Sequence, residues 1–348
     1  MRSLRDGFVG TSFVIVLVTC GMWYARDPDF KNWSIPLLGS SAAPARAPSE
    51  ITVNRLDWSA DGETLLVLSR GEVGPEGPLV LHNIAAKEGR FSIDVEDQFP
   101  AAAALSPDGR HVLVGTWRGQ LLWFDLDQNR TKRLMELPAS TSFTEVAFAP
   151  GGQWLAAAAA DGRMHVCDRR ADAMLLLEGG TGRVCDLRFS RDGLRLVSAA
   201  TDGSVAVWNI PEARLQLKFA AHDGPVTAAA FLADDQRIIT AGRDDAVRIW
   251  NLERGREEWT GQFECGGINT LALSADGKVA AWAGFSGKVV LWDLDRHRKR
   301  FEITSPASPV VHLKFSPDGS SLAVAGSDTK IRRYNPETAH EQPAIEVR

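Results

Sequence analysis

The stretch "TAGRDDAVRIWNL", Thr240 to Leu252, reads as the end of one strand, a tight polar turn, and a second strand that closes on Trp250 and Asn251. Alternating apolar and polar positions give half-buried strands. The Asp-Asp pair between them suits a hairpin, because short polar side chains tolerate left-handed backbone. Upstream, in "AAHDGPV", stands His222. A histidine, a threonine, an aspartate and a tryptophan thus stand at fixed offsets around one hairpin.

The same pattern recurs along the chain. A bulky apolar residue and a turn of Asp-Gly type appear in "DWSADG", "ALSPDG", "AFAPGG", "RFSRDG", "AFLADD", "ALSADG" and "KFSPDG". The bulky residues are Trp58, Leu105, Phe148, Phe189, Phe231, Leu273 and Phe315, at steps of 47, 43, 41, 42, 42 and 42. A second column, His82, Phe124, Cys167, Trp208, Trp250, Trp292 and Tyr334, follows the first by 24 residues and then by 19 in every later unit. The first unit carries five extra residues, in "SRGEVGPEGPL" (69–79). Each unit parses into three short strands, a to c, with room for a fourth, d; in the fifth these are "VTAAAF", "RIITAG", "AVRIW" and roughly "EEWTGQF". Seven such units over residues 51–348 predict an all-β, seven-bladed β-propeller.

The chain resembles the WD-repeat propellers over these residues. The resemblance is carried by "VWNI" (207–210), "IWNL" (249–252) and "LWDL" (291–294), each preceded by a turn: "TDG", "RDD" or "FSG". It departs from the family pattern in lacking most of the Gly-His signature and in having no Trp in the second column of units one, two, three and seven. Those blades are expected to lack the full structural hydrogen-bond set. The resemblance implies that His222, Thr240, Asp244 and Trp250 form a buried structural chain. Physically, a buried imidazole and a buried carboxylate both need partners, and a connected network supplies them. A catalytic reading (Thr nucleophile, His base, Asp orienter) fits poorly. The fourth unit repeats the set as Ser198, Asp202 and Trp208 with Gly180 in place of the histidine.

Composition narrows the function. The 348 residues are 44% hydrophobic and 24% charged, with net charge −5, which gives no electrostatic case for nucleic acid. Cys20, Cys167, Cys185 and Cys265 have no pair spacing, and no metal-type pair, P-loop or nucleophile elbow is present. No catalytic residue, cofactor or metal is expected. The c–d turns carry basic residues (Arg130, Lys132, Arg133; Arg169, Arg170; Arg254, Arg256; "RHRKR" at 296–300), and the a–b turns bring aspartates to the same face. That reads as a mixed, solvated surface. On the opposite face, where the resemblance places the partner surface of such propellers, the large side chains are Phe99, Trp117, Arg183, Arg243 and Phe285. Aromatics and arginines are what binding hot spots are made of.

Residues 1–25 stand outside the repeats. Arg2 and Arg5 precede "GFVGTSFVIVLVTCGMWYA", residues 7–25, without a charge. As a helix this spans roughly 28 Å, close to the bilayer's hydrocarbon thickness. Trp23 and Tyr24 sit where interfacial aromatics belong. The expectation is an N-terminal transmembrane helix that acts as an uncleaved signal anchor, with a cleaved signal and a secreted protein as the alternative. A short basic tail ahead of the span places the propeller on the extracytoplasmic side. Residues 26–50, with "SSAAPARAPSE", read as a linker. The chain is thus expected to be a membrane-anchored, non-catalytic scaffold with a monomeric propeller that binds a protein or peptide. The alternatives are an extracytoplasmic small-ligand sensor or enzyme using the propeller channel, or a structural subunit of a membrane complex. A channel role requires polar or ionisable residues converging on the channel at one level, and the sequence reading finds no such set.

Overall fold

The computed structural model describes residues 52–70, 79–83, 90–93, 99–138, 141–171, 173–180, 182–328 and 330–347. The expected anchor (1–25), the linker (26–50) and most of the 69–79 insertion lie outside the described residues. Among the described residues no helix is long and apolar enough to cross a membrane.

The described residues form twenty-eight strands in seven antiparallel sheets of four, each sheet built from consecutive strands. In blade five, strand a is Val226–Phe231, b is Arg237–Gly242, c is Ala246–Asn251 and d is Arg256–Gln262. The expected strands are therefore in place, with the fourth shifted by one residue. Strand a is innermost, and in blade five every residue of it is buried. Strand d is outermost and charged, as in the exposed Arg130–Glu136.

The core is a ring of seven apolar clusters, one between each pair of neighbouring blades. Val53, Leu56, Trp58 and Val67 of blade one pack on Ala323, Ala325 and Ile331 of blade seven, which closes the ring. Closure therefore rests on side-chain packing between two complete sheets. Burial of this kind contributes roughly 25 cal/mol per Å² of apolar surface.

Two local devices recur. On the a–b face, a serine hydroxyl donates to an aspartate two residues on, at 2.5–2.6 Å for Ser59–Asp61, Ser106–Asp108, Ser190–Asp192, Ser274–Asp276 and Ser316–Asp318. The same serine oxygen accepts the backbone N–H that restarts strand b, as at Thr64, His111, Arg195, Val279 and Ser321. The turn aspartates are thereby held below their usual carboxylate range, as at Asp61 and Asp318, where the serine bond is the largest cause. At the other end, the pairing of strand a with strand b slips by one residue in all seven blades, for example between Val53 and Arg55, Val184 and Asp186, and Val310 and His312. A bulge re-aims the side chains that follow it. Here it turns Arg55, Asp186 and His312 toward the ring axis.

Candidate functional site

Thr240, Asp244 and Trp250 meet the upstream His222 as expected. Trp250 Nε1 donates to Thr240 Oγ1 (3.0 Å), which lies 2.8 Å from His222 Nε2, while His222 Nδ1 lies 2.8 Å from Asp244 Oδ1. The tautomer that satisfies all four has the threonine hydroxyl donating to Nε2 and Nδ1–H donating to the carboxylate. Burial lowers the His222 pKa against the pull of Asp244, so the ring stays neutral. Burial opposes ionisation of Asp244, but hydrogen bonds from Arg248 (2.8 Å) and His222 hold its pKa below the usual range. The ring lies on Gly242, where a Cβ would sit 2.4 Å from Nδ1, so only glycine fits there. In blade four the chain is reduced to Trp208 Nε1 donating to Ser198 Oγ (3.1 Å).

The rim where d–a loops meet b–c turns is tied by repeated backbone bonds. Trp117 N donates to Phe99 O, Thr201 N to Arg183 O and Arg243 N to Pro225 O, at 2.9, 2.9 and 3.0 Å. All five sequence-selected residues are half-buried on this rim. The structure gathers four of them into two groups. In blade two, Phe99, in left-handed backbone (φ 51°), lies beside Trp117 with the Arg118 guanidinium 5.0 Å over its ring. Across blades five and six, the Arg243 guanidinium lies 4.4 Å over the Phe285 ring. Gly267, at φ +89°, leaves room for that stack; a Cβ there would touch both Arg243 and Phe285. Arg183 in blade four joins neither group. Sequence reasoning overlooked Arg118, whose place directly after Trp117 was the available signal.

The ring axis holds a cavity of about 410 Å³. Contrary to the sequence expectation, ionisable residues do converge on it: Arg55 and Asp57 from blade one, Asp186 and Arg188 from blade four, His312 and Lys314 from blade seven, with Glu145 of blade three behind Arg55 as its partner. Lys314 Nζ is 2.9 Å from Asp57 and Arg188 Nε is 3.0 Å from Asp186. Arg55 pairs with Glu145 across blade two, which lines the cavity with the apolar Ala103, Ala104 and Leu105. Arg188 likewise donates to Leu271 O of blade six (2.6 Å) across the small Ala228 and Ala230 of blade five. The ionisable-Leu-ionisable triplets "RLD" (55–57), "DLR" (186–188) and "HLK" (312–314) were the overlooked signal.

Residues 131–168, 174–209, 213–251 and 298–335 match the WD domain, G-beta repeat family. Each match runs from the outer strand of one blade to the third strand of the next, in step with the sheets above. This chain is a WD-repeat propeller. A chain in a crystal structure of the mitotic checkpoint complex shares the fold, with a TM-score of 0.72 over 87% of this chain and 99% of that one, at 20% identity. Among sequence relatives, an uncharacterized WD repeat-containing protein of Synechocystis is 32% identical over 133 residues, covering 37% of either chain. Apoptotic protease-activating factor 1 of Rattus norvegicus is 28% identical over 150 residues, 43% of this chain and 12% of that protein. COMPASS component SWD3 of Saccharomyces cerevisiae is 25% identical over 126 residues, 36% of this chain and 40% of that protein. The matches thus span well under two thirds of these relatives' own lengths.

Within the WD-repeat propeller, every side-chain polar atom of the His222 network is bonded to another member or to Arg248, as in a structural element. Asp244→Ala is expected to strand the imidazole N–H and cost about 1–3 kcal/mol. Denaturant unfolding of the variant measures this, while partner affinity at low temperature stays unchanged. Lost affinity at full stability would make the network a functional site.

Proposed function

We propose that this WD-repeat propeller is a membrane-anchored, non-catalytic platform that binds a protein or peptide through its d–a/b–c rim. The observation that carries the reading is the pair of preformed cation–aromatic groups, Phe99–Trp117–Arg118 and Arg243–Phe285, set among small rim residues such as Ala160, Thr201 and Ser327. Arginine stacked on a ring keeps its donors oriented and loses little conformational freedom on binding. A purely solvated rim would favour Lys, Glu and Ser. The two groups stand three blades apart, so a partner that touches both must lie across the face.

The anchor is residues 7–25, read from their uncharged length. The propeller is placed on the extracytoplasmic side by the short basic tail.

The test is fractionation followed by purification. Full-length protein is expected in the membrane fraction, resistant to salt and carbonate, and extracted only by detergent. Residues 26–348 should be a soluble, folded monomer, because the described residues supply an apolar cluster at each of the seven inter-blade seams. Full-length protein soluble without detergent, or residues 26–348 recovered only as aggregate, would contradict the anchored reading. Mass spectrometry of what co-elutes with the detergent-extracted protein then supplies the partner.

A further inference from the structure

The channel charges are not evenly presented. Each carboxylate is turned toward the wall: Asp57 accepts from Leu105 N of the next blade (3.0 Å), Asp186 accepts from Ala229 N (3.2 Å), and Glu145 takes the Arg55 guanidinium. The bonds to Asp57 and Asp186 satisfy N–H groups at the inner edges of the sheets, which have no further strand to pair with. The cations reach further into the open space. Side-chain exposures are 20% for Arg55, 29% for Arg188 and 44% for Lys314, against 9% for Glu145, 11% for Asp186 and 18% for Asp57. His312 stands among these cations, with Nδ1 buried and without a hydrogen-bond partner. Burial, reinforced by Arg55, Lys314 and Arg188, pushes its pKa well below the usual value, so the ring is neutral. At the a–b end, the cavity is edged by Ala60, Pro107 and Pro150, none of them charged.

Where cations stand further out than the carboxylates they pair with, as Lys314 and Arg188 do here, the more exposed charge draws counter-ions of the opposite sign. A cavity of this size is within the range of small-ligand sites. We propose that the central channel binds a compact multivalent oxyanion, phosphate- or carboxylate-bearing, held by Arg55, Arg188 and Lys314 beside the His312 ring. The arginines offer planar forks of N–H donors suited to oxyanions. Lys314 adds a mobile point charge. An anion at this level also brings the His312 ring nitrogen a partner, and its charge favours imidazolium. This site is independent of the rim: it lies on the axis, and its residues come from the inner strands alone.

The experiment is calorimetric titration of the full-length chain in detergent with inorganic phosphate, and separately with citrate, at low ionic strength. The two arms distinguish phosphate from carboxylate as the preferred group. Saturable binding at one site per chain is expected, weakened at least about tenfold in Lys314→Ala. Arg254→Ala, on a c–d turn, serves as the control and leaves affinity unchanged. Without any variant, the His312 ring resonances should move with anion concentration, and the imidazole pKa should rise. No saturable binding of either anion up to about 10 mM overturns the proposal. So does equal binding by wild type and Lys314→Ala, or an equal loss in Arg254→Ala, which would put the anion on the basic turns.

Discussion

Trp282→Ala is expected to destabilise the propeller by about 3–5 kcal/mol, among the largest effects of any single side-chain truncation in the chain. In blade six Trp282 occupies the strand-b position that Thr240 fills in blade five and Ser198 in blade four. Instead of a hydroxyl for the strand-c tryptophan, it supplies an indole that is fully buried. Its ring centroid lies 4.6 Å from that of Phe263 and 5.7 Å from that of Trp292. Trp259 extends the stack, 5.3 Å from Trp292. Aromatic packing has thus replaced the hydrogen-bonded chain between blades five and six. Trp282→Thr separates the two explanations: it offers Trp292 Nε1 an acceptor but leaves the void. If packing governs, its cost stays within about 1 kcal/mol of the alanine variant. Urea unfolding measures both, and a near-neutral Trp282→Thr would mean that the hydrogen bond matters more.

The second large effect is expected in the channel. Glu145→Ala leaves the largely buried Arg55 side chain at the channel wall without its carboxylate. Losing one partner of a fully buried pair costs about 3–5 kcal/mol; because Arg55 retains some exposure, about 2–4 kcal/mol is expected here. Arg55→Ala/Glu145→Ala should be no less stable than Glu145→Ala alone, because no stranded charge remains. Strictly additive losses in this cycle would show that the two side chains are not coupled.

The blades were legible because two columns kept a constant 19-residue spacing and because Asp-Gly turns mark hairpins. In blade five the first two strands keep the limits that alternation sets, and the last two differ from them by one residue. The His222 network was legible through the family resemblance, and the rim residues through register. The channel was not. Counted by alternation from the buried Val53, Val184 and Val310, residues 55, 186 and 312 would share their buried face. The bulge between each pair breaks that count and delivers Arg55, Asp186 and His312 to the axis. A bulge leaves no residue signature as plain as a glycine turn. The Phe99–Arg118 and Arg243–Phe285 stacks were also beyond the sequence, since each joins residues from different loops. The full hydrogen-bond set failed in blade six, despite its Trp-Asp pair, for the steric reason given by Trp282.

The central claim, that the rim carries the binding function, is tested most directly by measuring the affinity of the purified partner for Trp117→Ala, Arg243→Ala and the double variant. Each single change is expected to weaken binding by at least about 1 kcal/mol, roughly fivefold, with melting temperature nearly unchanged. Unaltered affinity in a folded double variant would contradict the account and move the interface to the basic c–d face.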